Sequence, residues 1–247
     1  MEKNSEGRIE FEVLIHDAGP DRKARLKSMF NFLQDTVDIH ARMHGTSIND
    51  IEKLNLSWVY SRFYAEIKRY PGLHEKITCR TWRSKLDRYL AYREFTINDS
   101  SGIPILAATS SLALINKETR KPTELKIPSS SLFETIPEKA VEFRFDRLPQ
   151  PDSYDYSHKS VTRLEDIDVN GHMNNASYAQ HFFESVYGRM DEKELTFIDI
   201  AFRGEVSWRD ELTCLASPAG NGIYFHKMVN ETRGNTSALA ATGWRQD

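Results

Sequence analysis

The feature that most limits the folds open to this chain is a change of apolar period that occurs twice in the same order. Leu26, Met29, Phe30, Leu33, Val37 and Ala41 recur at helical spacing and form a single stripe, ended by Gly45. Runs rich in aromatic and branched residues follow at 58–67, 76–82, 89–97 and 103–115, and turn-forming residues separate them. A second stripe, Ala179, Phe182, Phe183, Val186 and Met190, marks a helix from about 175 to 189. Four further strand patterns follow near 195–202, 211–216, 223–230 and 237–244. Each helix has one apolar face, and an antiparallel sheet is the natural partner to bury it.

A short strand precedes each helix. Residues 9–15 alternate apolar and polar, and another strand surrounds Val161. Asp17-Ala-Gly-Pro20 is a turn, and Asp21 is placed to cap the first helix. Between the two halves, Pro122, Pro128, Pro137, Pro149 and Pro151 interrupt residues 117–158. Proline lacks an amide donor and fixes φ, so this stretch is expected to cross the surface as a linker. The expected organisation is an N-terminal domain at 1–116, a linker at 117–158 and a C-terminal domain at 159–247. A faint internal repeat supports duplication: Glu75-Lys-Ile-Thr-Cys79 aligns with Asp210-Glu-Leu-Thr-Cys214 at an offset of 135.

Bulk composition excludes several classes. A net charge of -3 gives no general drive towards nucleic acid or anionic membrane. Cys79 and Cys214 make neither a disulfide framework nor a metal cluster. His40 and His44 have a helical metal-binding spacing but no evident third ligand, so no metal and no cofactor are assigned. The first nine residues contain no apolar run of the kind a secretory signal needs, and 103–115 is too short to span a bilayer. The expectation is a soluble cytoplasmic protein.

The chemistry concentrates at Asp168-Val-Asn-Gly-His-Met-Asn-Asn175, followed by Ala-Ser-Tyr178. An extended backbone would aim Asp168, Asn170 and His172 the same way. Asn174 or Asn175 would cap the helix, leaving first-turn amides beside that polar row. Such amides can stabilise a developing oxyanion. These residues describe a polar cluster at a helix start that can bind or hydrolyse a ligand, and they leave the substrate unnamed.

The pattern Asp-x-Asn-x-His-x-Asn-Asn-x-x-Tyr before a helix resembles the second-half motif of the plant and bacterial acyl-acyl-carrier-protein thioesterases. Ile67-Lys-Arg-Tyr-Pro71 with Thr81-Trp82 is similar to that family's first-half strand and turn, and Phe202-Arg-Gly-Glu205 to the strand carrying its catalytic carboxylate. The likeness runs from about Glu10 to Trp244. It implies an α+β fold, a tandem double hot-dog in which each half wraps an antiparallel sheet around a long helix. It also implies hydrolysis of fatty acyl-acyl carrier protein to free fatty acid. Carried over by position, Asp168, Asn170, His172 and Glu205 form the site: Glu205 activates water, His172 and Asn170 position the water and carbonyl, and Asp168 holds Asn170 or the backbone. Free Glu and His titrate near ~4.3 and ~6.5, so either can act as a base at neutral pH.

Some family members carry Cys after the carboxylate, whereas this chain has Val206, and Cys214 lies on the following strand pattern. Direct attack by water is therefore favoured over an acyl-cysteine intermediate. The first half has no counterpart of the Asn-His-Asn-Asn cluster, which frees it to hold the acyl chain along Met29, Phe30, Leu33 and Val37. Asn174, Asn175, Met29 and Leu33 are the expected substrate contacts. An acidic acyl carrier protein calls for a basic face, either Arg22, Lys23, Arg25 and Lys27 or Lys117, Arg120, Lys121 and Lys126. The expected state is a monomer or homodimer. The alternatives are an acyl-CoA thioesterase and a non-catalytic fatty-acyl-binding protein. A hot-dog dehydratase fits less well, because its helical His and acidic pair are unmatched.

Overall fold

A computed structural model describes residues 5–125, 135–188 and 194–245. The chain divides into two compact units, Met1–Phe143 and Arg144–Asp247. The first contains β1 (Glu6–Glu12), α1 (Leu26–Met43), α2 (Ile48–Glu52), β2 (Leu56–Ile67), β3 (Lys76–Leu86), β4 (Leu90–Asn98) and β5 (Pro104–Asn116). Its strands lie in the order β1-β3-β4-β5-β2, all neighbours antiparallel. The second contains β6 (Tyr156–Val161), α3 (Asn175–Tyr187), β7 (Leu195–Phe202), β8 (Glu211–Gly220), β9 (Ile223–Asn230) and β10 (Asn235–Trp244). Its order is β6-β8-β9-β10-β7, again antiparallel. Each unit thus arranges its own strands first, third, fourth, fifth, second. The hot-dog fold occurs twice in tandem, as the sequence led us to expect. The repeated Cys79 and Cys214 fall on equivalent strands, β3 and β8, and both are fully buried.

In the first unit α1 buries Leu26, Met29, Phe30 and Leu33 against the sheet. Phe30 meets Phe63 of β2 at 4.9 Å, and Phe63 meets Phe95 of β4 at 5.4 Å. Towards the helix end, His40 and His44 take the buried positions, while Val37 and Ala41 are only half-buried. His40 lies on Gly7 of β1, where an added Cβ would come within 2.7 Å of the His40 Cβ. Glycine is what lets helix and strand approach there. Among the described residues no helix is long and apolar enough to cross a membrane.

Several local expectations are corrected. β1 runs from Glu6 to Glu12, earlier than 9–15. The chain leaves the sheet at Leu14, whose amide donates to Asp17 Oδ2 at 3.0 Å, and Ile15 is 78% exposed. Asp21 does not cap α1; its carboxylate accepts from Lys23 N, and Arg25 occupies the cap position. α2 was not anticipated, although Ser47 and Asp50 carry a capping signature: Asp50 accepts from both Ser47 N and Ser47 Oγ. α3 ends at Tyr187, and the expected Arg189 and Met190 lie outside the described residues.

Residues 135–143 lie along the first sheet. Trp82 Nε1 donates to Glu138 O at 2.9 Å, and Ile136 N to Arg83 O at 2.9 Å. Glu94, fully buried on β4, accepts from Ser84, Thr109, Lys139 and the Ala140 amide. Phe143 stacks on Tyr64 at 4.1 Å. Buried Glu94 is thereby hydrogen-bonded and paired, the condition under which burying a charge is tolerable.

In the second unit α3 packs Ala176, Ala179, Phe182 and Val186 against its sheet. His226 of β9 lies beneath, with Nδ1 3.2 Å from Ser185 Oγ and Nε2 2.7 Å from Thr242 Oγ1. Burial pushes its pKa down to about 3. An ordinary histidine in the unfolded chain takes up its proton near ~6.5. Between these values the unfolded chain binds more protons, so stability falls as pH drops. The contribution of His226 is complete above pH ~6.5 and is lost towards pH ~3. Urea denaturation across this window should show a shallower pH slope in His226→Gln than in the wild type, whatever the variant loses at neutral pH.

Candidate active site

The segment between β6 and α3 is a tight hairpin loop, not the extended row expected. Asp168 N donates to His172 O at 2.8 Å, and Gly171 N to Asp168 O at 3.0 Å. Ile167 and Met173 form an antiparallel bridge beneath the turn. Gly171 sits at φ +78, a conformation open to glycine at little cost. This turn puts His172 opposite Asp168 and leaves Asn170 exposed at the tip. Asp168 accepts from Asn170 N at 2.8 Å and from Asn170 Nδ2 at 3.4 Å, so its carboxylate holds both backbone and side chain of Asn170.

Glu205 is not on a strand. β7 ends at Phe202, and Glu205 lies three residues further on in irregular backbone. Arg203 N and Gly204 N both donate to Ser237 O on β10, at 2.9 and 3.0 Å. Met173 N donates to Val206 O at 2.8 Å. That bond draws the loop and the carboxylate segment together. His172 Nε2 stands 3.4 Å from Glu205 Oε2, with side chains 35% and 32% exposed. One third exposure leaves the pair open to substrate while most of its surface is withdrawn from water. His172 Nδ1 is buried and has no hydrogen-bond partner among the described residues.

Asn174 is the helix cap: its Oδ1 accepts from Ala176 N at 2.8 Å, and its carbonyl accepts from Ser177 N at 2.9 Å. The Asn175 amide lies in the first turn, where an α-helix supplies its N–H groups with no intrahelical acceptor. Asn174 N donates in turn to Asp166 O, and Asp166 Oδ2 accepts from Arg163 N, so the loop is braced at its base. Asp166 and Ser237 were missed in the sequence. Ser237 acts through its carbonyl, which has no side-chain signature. Met29 and Leu33 belong to the first unit, on the buried face of α1. Among the described residues no group of His, Cys, Asp and Glu could hold a metal. Asn174→Ala should lower stability by about 1 kcal/mol, read from the thermal unfolding midpoint.

Neither cysteine is a nucleophile candidate. Both are buried, and burial pushes each thiol up to about 12. A thiol held so high is not ionised at neutral pH. Of the two basic sets, Lys117 is paired with Glu52 at 2.5 Å, and Lys126 lies outside the described residues. Arg25 donates to His16 O at 2.8 Å, and Arg22 is exposed with φ 61.

Comparison with known proteins gives a consistent relationship. The family model described as Acyl-ACP thioesterase N-terminal domain matches residues 6–128, and that of the Acyl-ACP thioesterase C-terminal domain matches 150–246. A chloroplastic acyl-(acyl-carrier-protein) hydrolase of Cuphea viscosissima is 28% identical over 258 residues, covering 96% of this chain. The chain spans 62% of that relative's length. A crystal structure of an acyl-ACP thioesterase from Bacteroides thetaiotaomicron superposes with a TM-score of 0.85 at 22% identity, covering 99% of this chain and 100% of the other. The 12:0-ACP thioesterase from Umbellularia californica also gives 0.85, at 23% identity, with 99% and 98% covered. At these identities the superpositions establish the double hot-dog fold, and the two family models together account for nearly the whole sequence. The chain belongs to the acyl-ACP thioesterase family.

Proposed function

We propose that this protein hydrolyses the thioester of fatty acyl-acyl carrier protein and releases the free fatty acid. The observation that carries the reading is the 3.4 Å approach of His172 Nε2 to Glu205 Oε2 in the region matched by the C-terminal family model. Relatives named as an acyl-(acyl-carrier-protein) hydrolase and a palmitoyl-acyl carrier protein thioesterase support the choice of substrate.

In this reading Glu205 is the general base. A water beside its carboxylate gives up a proton as its oxygen attacks the thioester carbonyl carbon. His172 donates from Nε2 to Glu205 and orients it; contacts of this kind are often long before substrate binds and tighten afterwards. Negative charge develops on the carbonyl oxygen, where the side-chain amide of Asn170 and the Asn175 N–H supply donors. Asp168 keeps Asn170 in place through the two bonds described. The tetrahedral intermediate collapses, the C–S bond breaks, and the proton held by Glu205 passes to the leaving thiolate. Water has then added across the thioester, leaving a carboxylic acid and the carrier thiol.

The first unit is the holder of the acyl chain, with Met29 and Leu33 on its wall. The support is an apolar helix face in a unit without the polar cluster. Apolar surface of this kind favours an acyl chain by withdrawing it from water. The acidic carrier docks on the basic set Arg22, Lys23, Arg25 and Lys27 at the approach to α1.

Thiol release from acyl-carrier substrate should fall by at least ~100-fold in Glu205→Ala and in His172→Ala, the usual scale for losing a general base or its partner. A rate within tenfold of wild type in Glu205→Ala would remove that carboxylate from proton transfer. The same acyl chain presented on coenzyme A should turn over more slowly than on the carrier. Tight acyl binding without thiol release by the wild type would defeat the hydrolysis reading.

A further inference from the structure

We propose that Tyr178 is a positioning residue for Glu205, acting through the peptide bond that precedes it. The inference rests on the hydrolase reading above and adds a residue to its machinery. The backbone around Glu205 has no strand ladder to hold it once β7 has ended at Phe202. Four hydrogen bonds replace the ladder. Arg203 N and Gly204 N reach Ser237 O, and Val206 O accepts from Met173 N. The fourth is the Tyr178 hydroxyl, which donates to Gly204 O at 2.9 Å. Of these, only the Tyr178 bond comes from a side chain, so it alone can be deleted without altering the main chain.

The carbonyl it holds belongs to the peptide unit that ends at the Glu205 nitrogen and Cα. A peptide unit is planar, so fixing its oxygen fixes the plane from which the Glu205 side chain departs. The Met173 bond fixes the carbonyl on the other side, at Val206. Glu205 is therefore bracketed by two contacts from the segment that also carries His172, one from the loop and one from the first turn of α3. Tyr178 is itself immobilised: it is 4% exposed, and its ring stands edge-on to Phe202 at 5.3 Å and 87°. Burial first, and then the nearby Glu205 charge, hold its phenol well above the ordinary tyrosine range. The hydroxyl stays protonated and remains a donor throughout the working pH range.

A lost hydroxyl lets the Gly204–Glu205 peptide plane rotate and the carboxylate drift from His172. Misplacement of a catalytic group by about 1 Å can cost ~100-fold in rate. Tyr178→Phe removes the bond and keeps the ring. Val186→Ala, a buried position further along α3, lowers stability through packing alone and serves as the control. With acyl-carrier substrate, Tyr178→Phe should lower kcat by about 10- to 100-fold and leave KM within about twofold. Amide hydrogen exchange across 203–206 should rise in Tyr178→Phe and match wild type in Val186→Ala. Wild-type kcat in Tyr178→Phe would overturn the proposal, as would kcat losses that follow stability equally in both variants. A wild-type protein inert on acyl-carrier substrate would defeat the hydrolase reading instead; the exchange comparison would still report whether Tyr178 holds the segment.

Discussion

The second unit depends on a hydrogen bond between two irregular segments, from Met173 N to Val206 O at 2.8 Å. Neither segment has a ladder of its own. The loop before α3 closes on itself through Asp168 and His172, and the stretch after β7 hangs from Ser237. Without the Met173 bond only the Tyr178 hydroxyl on Gly204 O would tie the piece of chain carrying the imidazole to the piece carrying the carboxylate. With it, His172 and Glu205 meet while both remain partly open to solvent. The regular elements serve this junction: α3 supplies the cap that ends the loop, and β10 supplies the carbonyl that anchors the carboxylate segment.

The two units share a strand order and differ in what fills their interiors. The second carries the polar loop and buries neutral His226 between hydroxyls. The first carries Arg83 and Arg93 directly opposite each other on β3 and β4. Desolvation lowers both guanidinium pKa values, Arg83 to about 9, and the Arg93 charge lowers that of Arg83 further. Arg93 is accommodated by Thr81 Oγ1 at 3.2 Å and by His40 Nδ1 at 3.3 Å. A shared architecture has thus been filled with different polar residues in each half, which is why the weak repeat in sequence understates the likeness in topology.

Period and punctuation made most of the fold legible. β7 and β9 occupy the expected ranges, and α1 follows its apolar stripe, because burial of one face leaves a periodic trace. The tightly turned and irregular pieces were not legible. The alternation of Asp168, Asn170 and His172 suggested an extended strand, but Gly171 allowed a left-handed turn that no periodicity records. Glu205 was expected on a strand and lies beyond one, since its position is set by main-chain carbonyls from distant residues. Asn174 was legible as a cap because a side-chain amide before a helix has few better uses. The short helix α2 is marked in the sequence only by its Ser47 and Asp50 cap, since five residues are too few to leave an apolar period.

The clasp of residues 135–143 on the first sheet has a practical meaning for anyone separating the halves. A fragment ending after β5 would strip Lys139 and the Ala140 amide from Glu94 and leave the indole of Trp82 without its acceptor. Its buried Glu94 carboxylate would keep only the hydroxyls of Ser84 and Thr109 as donors. An excision that keeps Phe143 on Tyr64 retains its own wrapping, and so gives the sounder boundary for studying the first unit alone.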